Sequence, residues 1–189
     1  MERLARAVAT RLHESGKFLD ELTEDLQSMI GTASILHDVG KVTTPDHILL
    51  KPDRLTDDER RIMQEHARNG EEILERAARL TTSESYLSIG AQIAGSHHEC
   101  YDGSGYPRGL KGGDIPLSGR IVAVVDVFDA LVHKRLYKDA WDVEDALAYL
   151  RQGAGKQFDP VVLEAFLSVV AADPNAWKGD EGWTPHGSS

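Results

Sequence analysis

Between Ser118 and His133 the sequence reads SGRIVAVVDVFDALVH. Wound as a helix, this stretch is apolar on most of its faces, so it has to be enclosed by other elements rather than laid on a surface. VVDVF alone has the alternation of a strand. The whole segment is too long for one, and the spacing of Asp126 and Asp129 fits a helix. A buried central helix needs a jacket, and the remaining punctuation supplies helices for it. Helical spacing runs over residues 2–13. Leu22, Leu26, Met29, Ile30, Ala33 and Leu36 predict a second helix over 20–37 that ends near Gly40. Pro45 then allows a turn and a short segment, DHILLKP.

Thr56 and Glu59 form a capping box that opens a helix reaching about Leu80, where Thr81, Thr82 and Ser83 break it. A further helix is predicted from Ser85 to His98, and another over WDVEDALAYLRQ, stopped by Gly153 and Gly155. Asp159 followed by Pro160 is an N-cap with proline at the first helical position, starting a last helix to about Ala172. The expectation is one all-α domain over 1–172, followed by a polar tail over 173–189 that carries Trp177 and Trp183.

A chain of 189 residues can bury a sizeable core in one domain. It has no apolar run of ~18 residues, so no membrane span is expected, and its first thirty residues do not read as a signal peptide. Cys100 is the only cysteine, which rules out an intramolecular disulfide and fits a cytoplasmic location. The formal charge of -10 disfavours long nucleic acid as a partner. A small anion remains open to it if metal ions or a local basic cluster supply positive charge.

Six side chains with nitrogen or oxygen donors stand beside special features. His37 and Asp38 lie at a helix end, followed by Gly40 and Lys41; His66 lies in the capped helix, one turn before Gly70. His97 and His98 close the next helix, and Asp126 sits in the most apolar one. His13, His47, His133 and His186 read as ordinary surface or core histidines, as His66 would alone; chance explains any one of the six, Asp126 least easily. Jointly they point to metal. An ionised carboxylate in apolar surroundings is costly unless paired or metal-bound. Adjacent histidines on a helix point about 100° apart and so can reach two ions. Imidazole and carboxylate without thiolate favour Fe, Mn, Ni or Zn in a non-structural site. A carboxylate such as Asp38 can bridge two cations, and two cations can clamp a phosphate in line with an attacking hydroxide. The residues thus suggest metal-assisted hydrolysis of a phosphate ester. The long loop from Glu99 to Leu117, rich in glycine, is of a length that usually carries function.

LHDVGK, the histidine of MQEHARNG, HHECYDGSGYPRGLKGGDIP and RIVAVVDVFDAL together resemble the HD-GYP family of HD-domain phosphohydrolases, over roughly Ile30 to Leu167. The resemblance implies a five-helix HD core with extra helices and a long GYP loop. It implies two divalent ions, or three, with iron or manganese foremost, and cyclic di-GMP as substrate, cut to pGpG or on to GMP. Carried over residue by residue, it makes His37, Asp38, His66, His97, His98 and Asp126 metal ligands. Asp38 would be the bridge and a metal-bridging hydroxide the nucleophile. Lys41 would contact the scissile phosphate, and Arg135 and Lys138 other substrate phosphates, although both could simply belong to a solvated basic turn. Gly103, Gly105 and Gly109 would permit positive φ and close approach to a ligand. Tyr106 would offer an aromatic face to a guanine, Pro107 would stiffen the turn, and Glu99 would orient a histidine ligand. The resemblance also implies that the loop could serve as a docking surface for diguanylate cyclase (GGDEF) domains.

Three departures stand out. Family members usually carry a further His or Glu ligand upstream; by register it falls at or before Met1, with His13 and Glu14 out of register, and a third ion depends on it. Asp53 replaces a common glycine and Leu136 a usual proline. Residues 1–19 would then be a cut connecting helix of an output domain, its apolar residues left exposed and favouring a homodimer. The competing expectations are a hydrolase of another cyclic dinucleotide, and a non-catalytic module that binds cyclic di-GMP or a cyclase.

Overall fold

In the computed structural model, residues 1–80, 86–133 and 140–173 are described. They form eight α-helices: α1 (Glu2–Glu14), α2 (Glu24–Ser34), α3 (Asp46–Leu49), α4 (Asp57–Ala78), α5 (Tyr86–Ala94), α6 (Leu117–Val132), α7 (Val143–Gln152) and α8 (Pro160–Ala172). Short 3-10 turns cover Val39–Thr43 and Gly112–Asp114, and one isolated bridge joins Ala154 to Phe158. None of the described helices is long and apolar enough to cross a membrane.

α6 is the axis, as its composition requires. Every residue from Leu117 to Val125 is buried, and Phe128 meets Phe166 of α8 edge to face at 5.1 Å. α1, α2, α5, α7 and α8 supply the rest of one continuous core. A smaller cluster of Leu74, Ala91 and Ala94, with Leu36 and Val39 packed on it, joins α4 to α5. The expected exposure of the apolar face of α1 does not hold. Leu4, Ala5, Val8, Ala9 and Leu12 are all buried in the main core, so that face is already covered within the chain.

The predicted caps form. The Thr56 hydroxyl accepts from Glu59 N while Glu59 accepts from Thr56 N. Asp159 accepts from Val161 N and Val162 N at the start of α8. Two helices are shorter than their periodicity suggests. α2 starts after Thr23, whose hydroxyl accepts from Leu26 N, so Leu22 enters the core from outside the helix. α2 stops at Ser34 and α5 at Ala94, each followed by turns. His37–Asp38 and His97–His98 therefore stand in turns beyond helix ends, not on helices. The chain break at 81–83, the start at Ser85, Arg135, Leu136, Lys138 and the tail over 174–189 lie outside the described residues.

Candidate metal centre

Gly40 and Gly70 set how closely the parts of the site approach. A Cβ on Gly40 would lie 2.0 Å from His66 O and 2.5 Å from Gly70 N, so only glycine lets the Val39–Thr43 turn press against α4. That contact carries Asp38 and Lys41 up to His66. α5 brings His97 and His98, and α6 brings Asp126.

Asp38 lies between two groups of ligand atoms. Its Oδ1 is 3.4 Å from His66 Nε2 and 4.0 Å from His97 Nε2, while its Oδ2 is 3.3 Å from His37 Nε2. His37 Nε2 is also 3.5 Å from Asp126 Oδ1. Lys41 donates to Asp38 Oδ2 at 2.6 Å. Donor atoms of Asp38, His66, His97 and His98 all lie within 4.8 Å of one another. The histidine pair thus converges with one set of ligands, its rings 4.0 Å apart, because a turn rather than a helix holds it.

Three of the histidines are oriented by backbone carbonyls. His37 Nδ1 meets Ser34 O at 2.9 Å, His66 Nδ1 meets Met63 O at 2.7 Å, and His97 Nδ1 meets Ile93 O at 3.0 Å. A carbonyl only accepts, so each Nδ1 carries the proton; where the ring is neutral, Nε2 keeps its lone pair. Among the described residues, the buried Nε2 atoms of His66 and His97 have no hydrogen-bond partner. Leaving such a group unsatisfied costs roughly 1–3 kcal/mol. A cation beside Asp38 would satisfy both, and the nitrogen and oxygen donor set without thiolate suits a divalent transition metal.

The charges agree. Burial lowers the pKa of His97 to about 4, helped by the charge of His37, and burial with the neighbouring His97 and His66 lowers that of His98 to about 3. Burial also lowers that of His66. These three are neutral at pH 7 and ready to ligate. For His37 burial is outweighed by hydrogen bonds to Asp126 and Asp38, which push it up to about 10. Burial works against the Asp38 and Asp126 carboxylates, but hydrogen bonds from His37, and from Lys41 to Asp38, hold both below the usual range.

These shifts give a stability profile for the chelated protein. Between pH ~4 and ~6.5 the unfolded chain protonates His97 and His98 while the native state does not, so stability falls as pH drops through that window. His37 acts oppositely: its contribution is complete below ~6.5 and is lost as pH rises towards about 10. Thermal melts in chelator are therefore expected to peak near neutral pH and decline on both sides. A midpoint that climbs steadily from pH 7 to 9 would contradict the placement of His37 between two carboxylates.

The loop after His98 folds back onto the site. A Cβ on Gly105 would meet Cys100 N at 2.2 Å and His98 O at 2.5 Å. Gly105 is thus needed for approach to the chain's own backbone, and positive φ falls instead at Gly103, Gly109 and Gly112. Tyr106 stacks on His98, rings 4.7 Å apart, and the Tyr106–Pro107 peptide is cis. Glu99 is buried, and its two oxygens accept from Arg108 N at 2.8 Å and Leu110 N at 3.0 Å. It clamps the loop rather than a histidine. Arg108 in turn donates to both oxygens of Glu71 and to Gly95 O.

Beside the cluster lies a cavity of about 360 Å³, lined in part by Asp38, Lys41, His98 and Asp126. Trp141 and Tyr149 also line it, and neither is marked by a motif. Arg120, which binds the core together, was equally legible by the signal that exposes Asp126: a charge inside an apolar helix.

A helical core in which His37, Asp38, His97 and His98, from turns beyond helix ends, meet His66 of α4 and Asp126 of α6 defines a class. The sequence matches the HD domain family over residues 2–162, and the chain belongs to that family. It is 44% identical over 180 residues to the cyclic di-GMP phosphodiesterase response regulator RpfG of Xanthomonas campestris, covering 88% of this chain and 46% of that protein. It is 44% identical over 177 residues to the 3'3'-cGAMP-specific phosphodiesterase 2 of Vibrio cholerae, covering 87% of this chain and 33% of that one. The crystal structure of a cyclic GMP-AMP-specific phosphodiesterase of V. cholerae shares the fold, with a TM-score of 0.62 at 21% identity over 94% of this chain and 46% of that one. The chain spans less than half the length of these relatives.

Proposed function

We propose that the domain over residues 1–172 is a metal-dependent phosphodiesterase that hydrolyses cyclic di-GMP to pGpG, GMP or both. One observation carries the reading: the two oxygens of Asp38 face different histidines at 3.3–3.4 Å, an arrangement in which one carboxylate would serve both histidine groups. In this reading His66, His97, His98 and Asp38 would hold one divalent ion, and His37, Asp126 and Asp38 a second, with iron or manganese favoured. When bound, such ions supply positive charge for phosphate oxygens and lower the pKa of the attacking water. Lys41, lining the same cavity, stabilises charge that develops on the phosphate. Gly105, Tyr106 and Pro107 flank the substrate, and the loop that holds them is the proposed docking surface for a cyclase domain. Arg135 and Lys138 are assigned to other phosphates on the family resemblance.

Equal identity to relatives named for cyclic di-GMP and for 3'3'-cGAMP supports a second reading, in which the mixed dinucleotide is the substrate. The test is anaerobic incubation with Mn(II) or Fe(II) and each dinucleotide, followed by chromatography. Conversion abolished by a chelator is the expected result. No conversion of either, with metal demonstrably bound, would leave a binding module instead.

A further inference from the structure

The lining of the cavity beside Asp38 divides by chemistry. α6 carries Asp126 among the charged groups, and then Val127, Ala130 and Leu131 on an apolar side. The backbone N–H of Trp141 donates to Leu131 O at 2.9 Å, which ties the main chain at Trp141 to the end of α6. Tyr149 on α7 meets it edge to face, rings 5.9 Å apart at 86°. Although they are the largest apolar groups of the cavity, the two keep 36% and 41% of their surface exposed. Large, partly exposed aromatic side chains beside phosphate-handling groups suit a flat heterocycle, since every base offers a π face. Tyr106 is less available, because His98 already covers one of its faces.

We propose that Trp141 and Tyr149 form the wall that holds a purine base of the substrate, with its phosphate towards Asp38 and Lys41. This rests on the phosphodiester reading of the same site and adds to it the source of nucleotide recognition. The wall is a binding surface and takes no part in bond cleavage.

The probes are GMP and ribose 5-phosphate, which share a phosphate and a sugar and differ by the base. Calorimetric titration of the Mn(II)-loaded protein is expected to show tighter binding of GMP. Trp141→Ala is expected to weaken GMP by roughly 5- to 150-fold, the range for loss of one base–aromatic stack. It should leave ribose 5-phosphate and Mn(II) binding within about twofold, and Trp141→Phe should restore most of the loss. Tyr149→Ala should act in the same direction and keeps the test open if Trp141→Ala lowers helix content. Equal affinity of the wild type for both probes overturns the proposal. So does loss of both probes together, which would mark a structural role, or an unchanged GMP affinity in both alanine variants. If GMP discrimination passes while neither dinucleotide is hydrolysed, the base wall stands and the phosphodiesterase reading fails; the converse result rejects the wall alone.

Discussion

Asp38→Ala is expected to abolish hydrolysis while the helices stay folded. Asp38 is the one carboxylate shared by both histidine groups, with His66 and His97 towards Oδ1 and His37 towards Oδ2. Removing it leaves each group without its common oxygen donor. Stabilisation by bound ions is worth several kcal/mol, and about 1.36 kcal/mol corresponds to tenfold in rate. A loss on the order of a thousandfold or more follows. The fold should survive because Asp38 lies in a turn with its side chain a third exposed, outside both apolar clusters. Lys41 loses its partner but is partly open to water, and His37 keeps Asp126. The measurements are turnover of cyclic di-GMP, metal content and helical circular dichroism. Near-normal turnover would defeat the two-ion reading, and Asp38→Asn separates charge from shape.

Much of this architecture was legible because it is local. α6 is apolar on all sides, and a helix of that kind has one place to go. The Thr56 and Asp159 caps use short-range hydrogen bonds that spacing reveals directly. That His37, Asp38, His66, His97, His98 and Asp126 come together was legible through their chemistry and the family resemblance. What periodicity misses is where a stripe stops being a helix. Leu36 continues the apolar spacing of α2, yet it packs with Val39 on the α4–α5 cluster after the helix has ended. That early end turns His37 and Asp38 towards α4. The job of Gly40 is hidden for a related reason: it depends on the backbone of His66, on another element. The bonds of Glu99 to Arg108 N and Leu110 N escape a reading by spacing, because the loop it clamps closes over its own residues.

The largest stability effect is expected at Arg120, where separation in sequence hid the partners. Its guanidinium is 3% exposed and makes contacts in several directions. Nε donates to Ile115 O at 2.9 Å, one NH group donates to Asp159 Oδ2 at 2.9 Å, and the other donates to Glu21. The ring of Phe18 lies 4.8 Å below it. Arg120 thus joins α6, the cap of α8, the end of the long loop and the turn before α2. Arg120→Met would fit the apolar stem but leave Asp159, 2% exposed, as a buried charge with no cation beside it. Breaking such a pair from one side costs about 3–5 kcal/mol, which for a chain of this size lowers the melting midpoint by roughly 10 °C. Most of that cost belongs to the stranded carboxylate and not to the lost attraction. Arg120→Met with Asp159→Asn is therefore expected to recover much of the stability, since asparagine can still cap α8 through its carbonyl oxygen. Chemical denaturation of the two variants decides it. If the double variant is no more stable than Arg120→Met, the pair is held by mutual attraction, and the account in terms of an orphaned charge is wrong.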